Sequence, residues 1–138
     1  NQLEDLSFMD SIKEGKISAD LTSGPMDIEK YLPMLDYLFI SDEDLFMDVD
    51  DLAKMVKGHV ILHYPSGSYV TDGNKHFEND HTTIEGIDVL GAGDMFAASF
   101  ILQNLTTDDT LKDNIKYAHQ MTTNLLLEKN RKTIVSLW

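Results

Sequence analysis

Apolar residues return at intervals of three along 1–15, where Leu3, Leu6, Met9 and Ile12 share one face, so the spacing predicts an amphipathic helix ended by Gly15. Lys16 to Leu21 reads as a short strand, Thr22-Ser23-Gly24-Pro25 as a turn, and Asp27 to Leu35 as a short helix. Asp36-Tyr37-Leu38-Phe39-Ile40 is an apolar strand running into the acidic stretch Ser41 to Leu45, which has the charge of a helix N-terminus. The helix is expected to continue over Leu45 to Lys57, with Leu45, Val49, Leu52, Met55 and Val56 toward a core, and to stop at Gly58. His59 to His63 reads as a buried strand, Tyr64 to Gly67 as a turn, Ser68 to Thr71 as a strand, and Asp72-Gly73 as a hairpin turn into Lys75-His76-Phe77.

A different texture begins near Ile84. Gly91, Ala92 and Gly93 are followed by Asp94 and then by an almost unbroken apolar run, which predicts a loop opening into a helix over Asp94 to Asn104, buried between layers. Thr107 or Asp109 is a candidate cap for the next helix, Thr110 to Glu128, which carries Leu111, Ile115, Ala118, Thr122, Leu125 and Leu126 at helical spacing. Basic residues from Lys129 to Lys132 suit its C-terminal dipole, and Thr133 to Trp138 is left as a short strand or extended tail. Helices alternating with strands argue for an α/β domain with a parallel sheet.

The charge narrows the function. The 138 residues include 24 acidic and 11 Lys plus Arg side chains, a formal charge of −13, and no basic cluster, which argues against nucleic-acid binding. No 18-residue apolar run and no basic-then-apolar leader is present, so neither a membrane span nor a signal peptide is expected. The absence of cysteine removes disulfides and thiol chemistry and points to a reducing, cytoplasmic setting. The pairs His59/His63 and His76/His81 fall on strand and loop, where no shared helical face aligns them for zinc.

The chemistry concentrates at Gly91 to Asp94. Small residues let backbone N–H groups approach a ligand, and the first turn of a helix leaves such groups unpaired with partial positive charge, a place for a phosphate. Asp94 stands at the mouth of this cradle, where a carboxylate can take a proton from a hydroxyl beside the phosphate. The rival explanation is an ordinary core helix with Asp94 as its N-cap.

Asp88-Val89-Leu90-Gly91-Ala92-Gly93-Asp94, followed by Met95-Phe96, resembles the D-T-x-G-A-G-D-x-F signature of the ribokinase (PfkB) family of carbohydrate kinases. The resemblance extends from about Ile17 to about Leu127. It implies a doubly wound, ribokinase-like α/β fold with helices on both faces of the sheet. Residues 1–138 would form a single partial domain, the C-terminal, nucleotide-binding half of a longer protein, as a start at Asn1 also suggests. The implied reaction is ATP-dependent phosphorylation of a sugar or similar small alcohol. Asp94 would be the base, and Gly91, Ala92 and Gly93 the anion hole. Asp88, with the backbone at Leu90, would lie at a monovalent-cation site, and Asp44 would help organise Mg2+ through water. Ser41 and Asp44 replace the Asn and Glu of the family's D-x-x-x-x-N-x-x-E stretch.

The family's T-x-G-x-x-G turn, whose backbone lies along the nucleotide phosphates, is altered here. His63 replaces Thr, Pro65 replaces the first Gly, and the turn is one residue shorter before Gly67. Pro65 has no N–H to offer a phosphate. Ala118-His119 takes the place of an Ala-Asn pair beside the adenine, which makes His119 a candidate base contact, against a solvent-facing histidine. The sugar-binding half has no counterpart, and the apolar surface it would cover suggests a homo-oligomer. Two further readings stay open: a kinase-like binding or structural subunit without efficient nucleotide chemistry, and a nucleotide-binding α/β domain of unrelated function.

Overall fold

The computed structural model describes residues 15–21, 28–81 and 85–136, the last five of these by backbone alone. The helix expected over 1–15 and the turn at Thr22 to Pro25 lie outside the described residues. Three parallel strands come first: β1 (Ser18–Leu21), β2 (Tyr37–Ser41) and β3 (His59–Tyr64). Leu21 stands opposite Ile40, and Ile40 opposite Leu62. Leu38, Phe39 and Ile40 are all buried, although successive side chains of a strand point to opposite faces. An unbroken apolar run is how a parallel strand covered on both sides reads.

β4 (Gly67–Thr71) and β5 (His76–Asp80) complete a sheet of order β1-β2-β3-β4-β5. A two-residue link at Pro65-Ser66 leaves no room for a crossover, so the chain reverses there and the sheet is mixed rather than wholly parallel. Gly67 is required by proximity: a Cβ on it would stand 2.3 Å from the carbonyl oxygen of Asn79. The described residues group into two compact units, one within 15–64 with 68–77, the other of 65–67 with those within 78–136.

In the first unit, Leu21, Leu32, Leu35, Leu38, Ile40, Leu52, Ala53 and Val60 belong to one apolar core. The helix expected over Asp27 to Leu35 is a turn followed by one 3-10 turn, Leu32–Met34. Pro33 explains the shortfall, since it lacks the N–H and crowds the carbonyl that a continuing α-helix would use. The helix expected from Leu45 begins later, as α1 (Val49–Met55). Asp48 sets that start, its carboxylate accepting the N–H of Asp51 at 3.0 Å. The acidic residues Asp42 to Asp44 form a turn instead. Leu45, Phe46 and Met47 still pack on the core, so the apolar pattern there marks a buried loop.

Two further carboxylates fasten this unit. Asp36 accepts the Ile17 N–H at 2.9 Å, which holds β1 beside the start of β2. Asp50 accepts from the Thr71 hydroxyl at 2.6 Å and the Tyr69 hydroxyl at 3.2 Å, tying the first turn of α1 to β4.

In the second unit, α2 (Ala92–Thr106) and α3 (Leu111–Ser136) pack as an antiparallel pair joined by a four-residue loop. Phe96 meets His119 near the middle of the pair, and Gln103 meets Asp109 at the connection. Thr110 caps α3, accepting the Asp113 N–H at 3.2 Å, where Thr107 or Asp109 was expected; the Thr107 hydroxyl instead donates to Gln103 O at 2.9 Å. α3 runs past Glu128 to Ser136 rather than giving way to an extended tail. No Gly or Pro follows Gly93, so nothing in the backbone stops it. α2 is not enclosed on all sides: Phe96, Ser99 and Phe100 are buried, whereas Leu102 and Leu105 are 60% and 71% exposed.

Replacing Asp48 with Ala is expected to cost about 1 kcal/mol of stability, read as a lower urea midpoint, because the cap bond is lost. An unchanged midpoint would place the start of α1 under the control of packing alone. A second expectation concerns β3, where burial lowers the pKa of His63 below 6.5, against opposing attraction from Asp20, Asp42 and Asp44. The folded chain therefore holds His63 neutral where the unfolded chain would protonate it. Its contribution is complete above pH 6.5 and is lost as pH falls from there toward the lowered folded value. The urea midpoint should fall on acidification below that point, and a His63→Gln variant should fall less; equal losses would remove His63 from the account.

Candidate functional site

Asp88 opens the loop that leads into α2. Its Oδ1 accepts the Leu90 N–H at 2.9 Å, a short-range bond that turns the chain. A second turn overlaps it: the Ala92 N–H donates to the Val89 carbonyl at 3.0 Å, and Gly91 has φ 86° and ψ 4°. Those angles are the third position of a type II turn, which needs positive φ and hence glycine. Gly91 is also the residue preceding the first helical residue, and no side chain caps the helix. Val89 and Leu90 are 56% and 78% exposed beside it.

α2 thus begins at Ala92, two residues before the expected Asp94. Asp94 is the third helical residue, exposed, and caps nothing, which removes the N-cap explanation for it. Among the described residues no acceptor takes the N–H of Gly91, Gly93 or Asp94. Ala92 departs from its expected part in the anion hole, because its N–H is committed to the turn. The open donors are those of Gly91, Gly93 and Asp94, at the positive end of a 15-residue helix.

The loop is held from α3. Lys129 Nζ lies 2.9 Å from Asp88 Oδ2 and donates to the Leu90 carbonyl at 3.0 Å. The Asn130 side-chain amide grips the backbone of Asp88 from both sides, accepting its N–H at 3.0 Å and donating to its carbonyl at 3.1 Å. The Leu90 N–H first, and Lys129 second, hold the Asp88 carboxyl below its ordinary pKa. In the sequence, Lys129 reads only as basic charge at a helix end, and nothing there assigns Lys129 or Asn130 to this loop. The only available signal was that two polar residues end an apolar helical stripe, which is too common to single them out.

His119 is buried, not solvent-facing, with Phe96 and His81 each at a ring-centroid distance of 4.5 Å. Beside it is an open groove of about 490 Å3 lined by Asn79, Asp80, His81, Lys116, His119, Gln120, Thr123 and Asn124. Pro65 is exposed in the turn before β4, and Gly67 is packed closely against the carbonyl of Asn79. Ser66 accepts the His81 N–H at 2.9 Å, so this turn and the rim of the groove are bonded together.

Asp44 and His63 belong to the first unit. Asp44 closes the turn after β2, its N–H donating to Ser41 O at 3.1 Å, and His63 is in β3, with its carbonyl accepting the Asp42 N–H at 3.0 Å. His59, at the start of the same strand, is half-buried. Among the described residues no three His, Asp or Glu side chains converge as a metal site, and no helix is long and apolar enough to cross a membrane.

No known family profile matches the chain, and no curated protein matches it. Solved structures do. A sulfate complex of a pyrophosphate-dependent kinase in the ribokinase family superposes with a TM-score of 0.72 at 18% identity, over 90% of this chain and 52% of that one. A pyrophosphate-dependent kinase of the same family, complexed with a pyrophosphate analog and myo-inositol, gives 0.68 at 18% identity, over 80% and 48%. The fructokinase of Vibrio cholerae O395, with fructose, ADP and calcium ion bound, gives 0.56 at 19% identity, over 66% and 34%. This chain therefore has the α/β fold of ribokinase-type kinases, and it spans about half the length, or less, of the solved structures it matches.

Proposed function

We propose that residues 88–94 hold a transferring phosphoryl group and that Asp94 takes the proton of the acceptor hydroxyl, in a complete protein that phosphorylates a sugar or similar small alcohol. One observation carries this: an exposed carboxylate that caps nothing stands in the same helical turn as the open N–H groups of Gly91, Gly93 and Asp94. The resemblance of Asp88 to Phe96 to the kinase signature supports it, as does the shared fold. As the acceptor oxygen bonds to phosphorus, its proton passes to the Asp94 carboxylate, and the bond from phosphorus to the departing donor oxygen breaks. Charge on the equatorial phosphoryl oxygens is met by backbone N–H groups already fixed by the turn, the kind of preorganised electrostatics that dominates such catalysis.

ATP is the proposed donor, with the groove beside His119 taking its base and Pro65 to Gly67 bordering its phosphates. Mg2+, when bound, would neutralise donor phosphates, with Asp44 acting through water. Pyrophosphate is the competing donor, since kinases that use it share this fold over most of the chain. The exposed Leu102 and Leu105 of α2 are the proposed contact with a second copy.

Asp94→Asn in the complete protein is expected to lower turnover about a hundredfold or more, since a positioned general base contributes roughly 10²–10⁴. Turnover near the parental value at saturating donor and acceptor would overturn Asp94 as the base. Calorimetric titration of Mg-ATP and of pyrophosphate tests the donor. Pro65→Gly restores one N–H facing a charged group, about 1.5–3 kcal/mol, so ATP should bind about tenfold more tightly or better. Unchanged affinity would mean that this turn does not face the phosphates. Binding of pyrophosphate alone would replace ATP as the donor, and binding of neither would favour a non-catalytic subunit.

A further inference from the structure

The ribokinase resemblance implies a monovalent cation beside Asp88 and Leu90, and the donor set there tests whether one fits. A cation needs oxygen ligands with open lone pairs facing a common point. The Asp88 carboxylate and the Leu90 carbonyl do face one point, but Lys129 Nζ stands on it, 2.9 Å from the first and 3.0 Å from the second. Asp88 Oδ1 is already taken by the Leu90 N–H. An ammonium is a compact point charge with three donors, so it meets oxygen ligands much as a small monovalent ion does.

We propose that Lys129 is a tethered replacement for that ion. Its ammonium bridges the two ends of the Asp88 to Leu90 turn and fixes the approach to Gly91 without any dissolved cation. α3 supplies the charge covalently, and Asn130, the next residue, holds the Asp88 backbone at the start of the same turn by its amide. Lys129 is thus a positioning residue for the loop. This assignment does not depend on which donor or acceptor the complete protein uses, because it concerns the loop alone.

An exposed ion pair adds little to global stability, so a local readout is the right one. Hydrogen exchange at the Leu90 amide, whose N–H donates to Asp88, reports whether the turn is held. In the unaltered chain the Leu90 rate should agree within about twofold between about 0.1 M potassium chloride and choline chloride, matched in ionic strength. In Lys129→Met, with the fold checked by circular dichroism, exchange in choline should be about tenfold faster, and potassium should restore much of the protection. Potassium-specific protection in the unaltered chain would overturn the proposal outright, and that arm holds even if the variant fails to fold. A variant loosened equally in both salts would reduce Lys129 to a mechanical tether, and one with no change would leave the turn held by Asn130; either result rejects the cation role.

Discussion

The Asp88 carboxylate is the constraint on which the candidate site depends. One oxygen closes the turn through Leu90, and the other anchors Lys129. The following residues enter the helix through a type II turn whose third position, at positive φ, is Gly91. The turn consumes the Ala92 N–H and leaves its neighbours open. Anion binding would then need no movement of the backbone. Preorganised donors gain from this, since dipoles that are already oriented cost nothing to align when charge develops.

The same economy explains how so acidic a chain stays folded. At a formal charge of −13, self-repulsion opposes compaction. Several carboxylates offset it by accepting hydrogen bonds where the backbone or a hydroxyl needs a partner. Asp36 holds β1 to β2, Asp48 caps α1, Asp50 joins α1 to β4, and Asp72 turns the last hairpin by accepting the Asn74 and Lys75 N–H groups. Asp94 contrasts with them: it accepts from none of the described residues and stands exposed. An exposed carboxylate also stands in the first turn of α3, at Asp113; what sets Asp94 apart is the glycine turn before it, which leaves the N–H groups of Gly91, Gly93 and Asp94 open among the described residues.

The kinship in fold sets limits as well as expectations. At 18–19% identity it concerns backbone architecture, and the matched structures are two to three times longer than the portion they share with this chain. This chain itself shows a glycine turn before α2, its fastening to α3, and a groove beside His119.

The sequence by itself determined the alternation of strand and helix, the parallel β1 to β3 core, and the signature around Asp94. These are short-range signals: an apolar run for a covered strand, glycine where φ must be positive, and small residues before a helix. It misplaced features decided by competition between neighbours. Acidic Asp42 to Asp44 looked like a helix start, but Asp48 captured that role, and α3 outran its expected end because nothing halted it. Only the tertiary structure decided which polar residues meet. Asp50 with Thr71, His119 between Phe96 and His81, and above all Asp88 with Lys129 and Asn130 are partners 21 to 42 positions apart. Local periodicity carries no information at that range, because those pairings exist only once helix and strand have been folded back on one another.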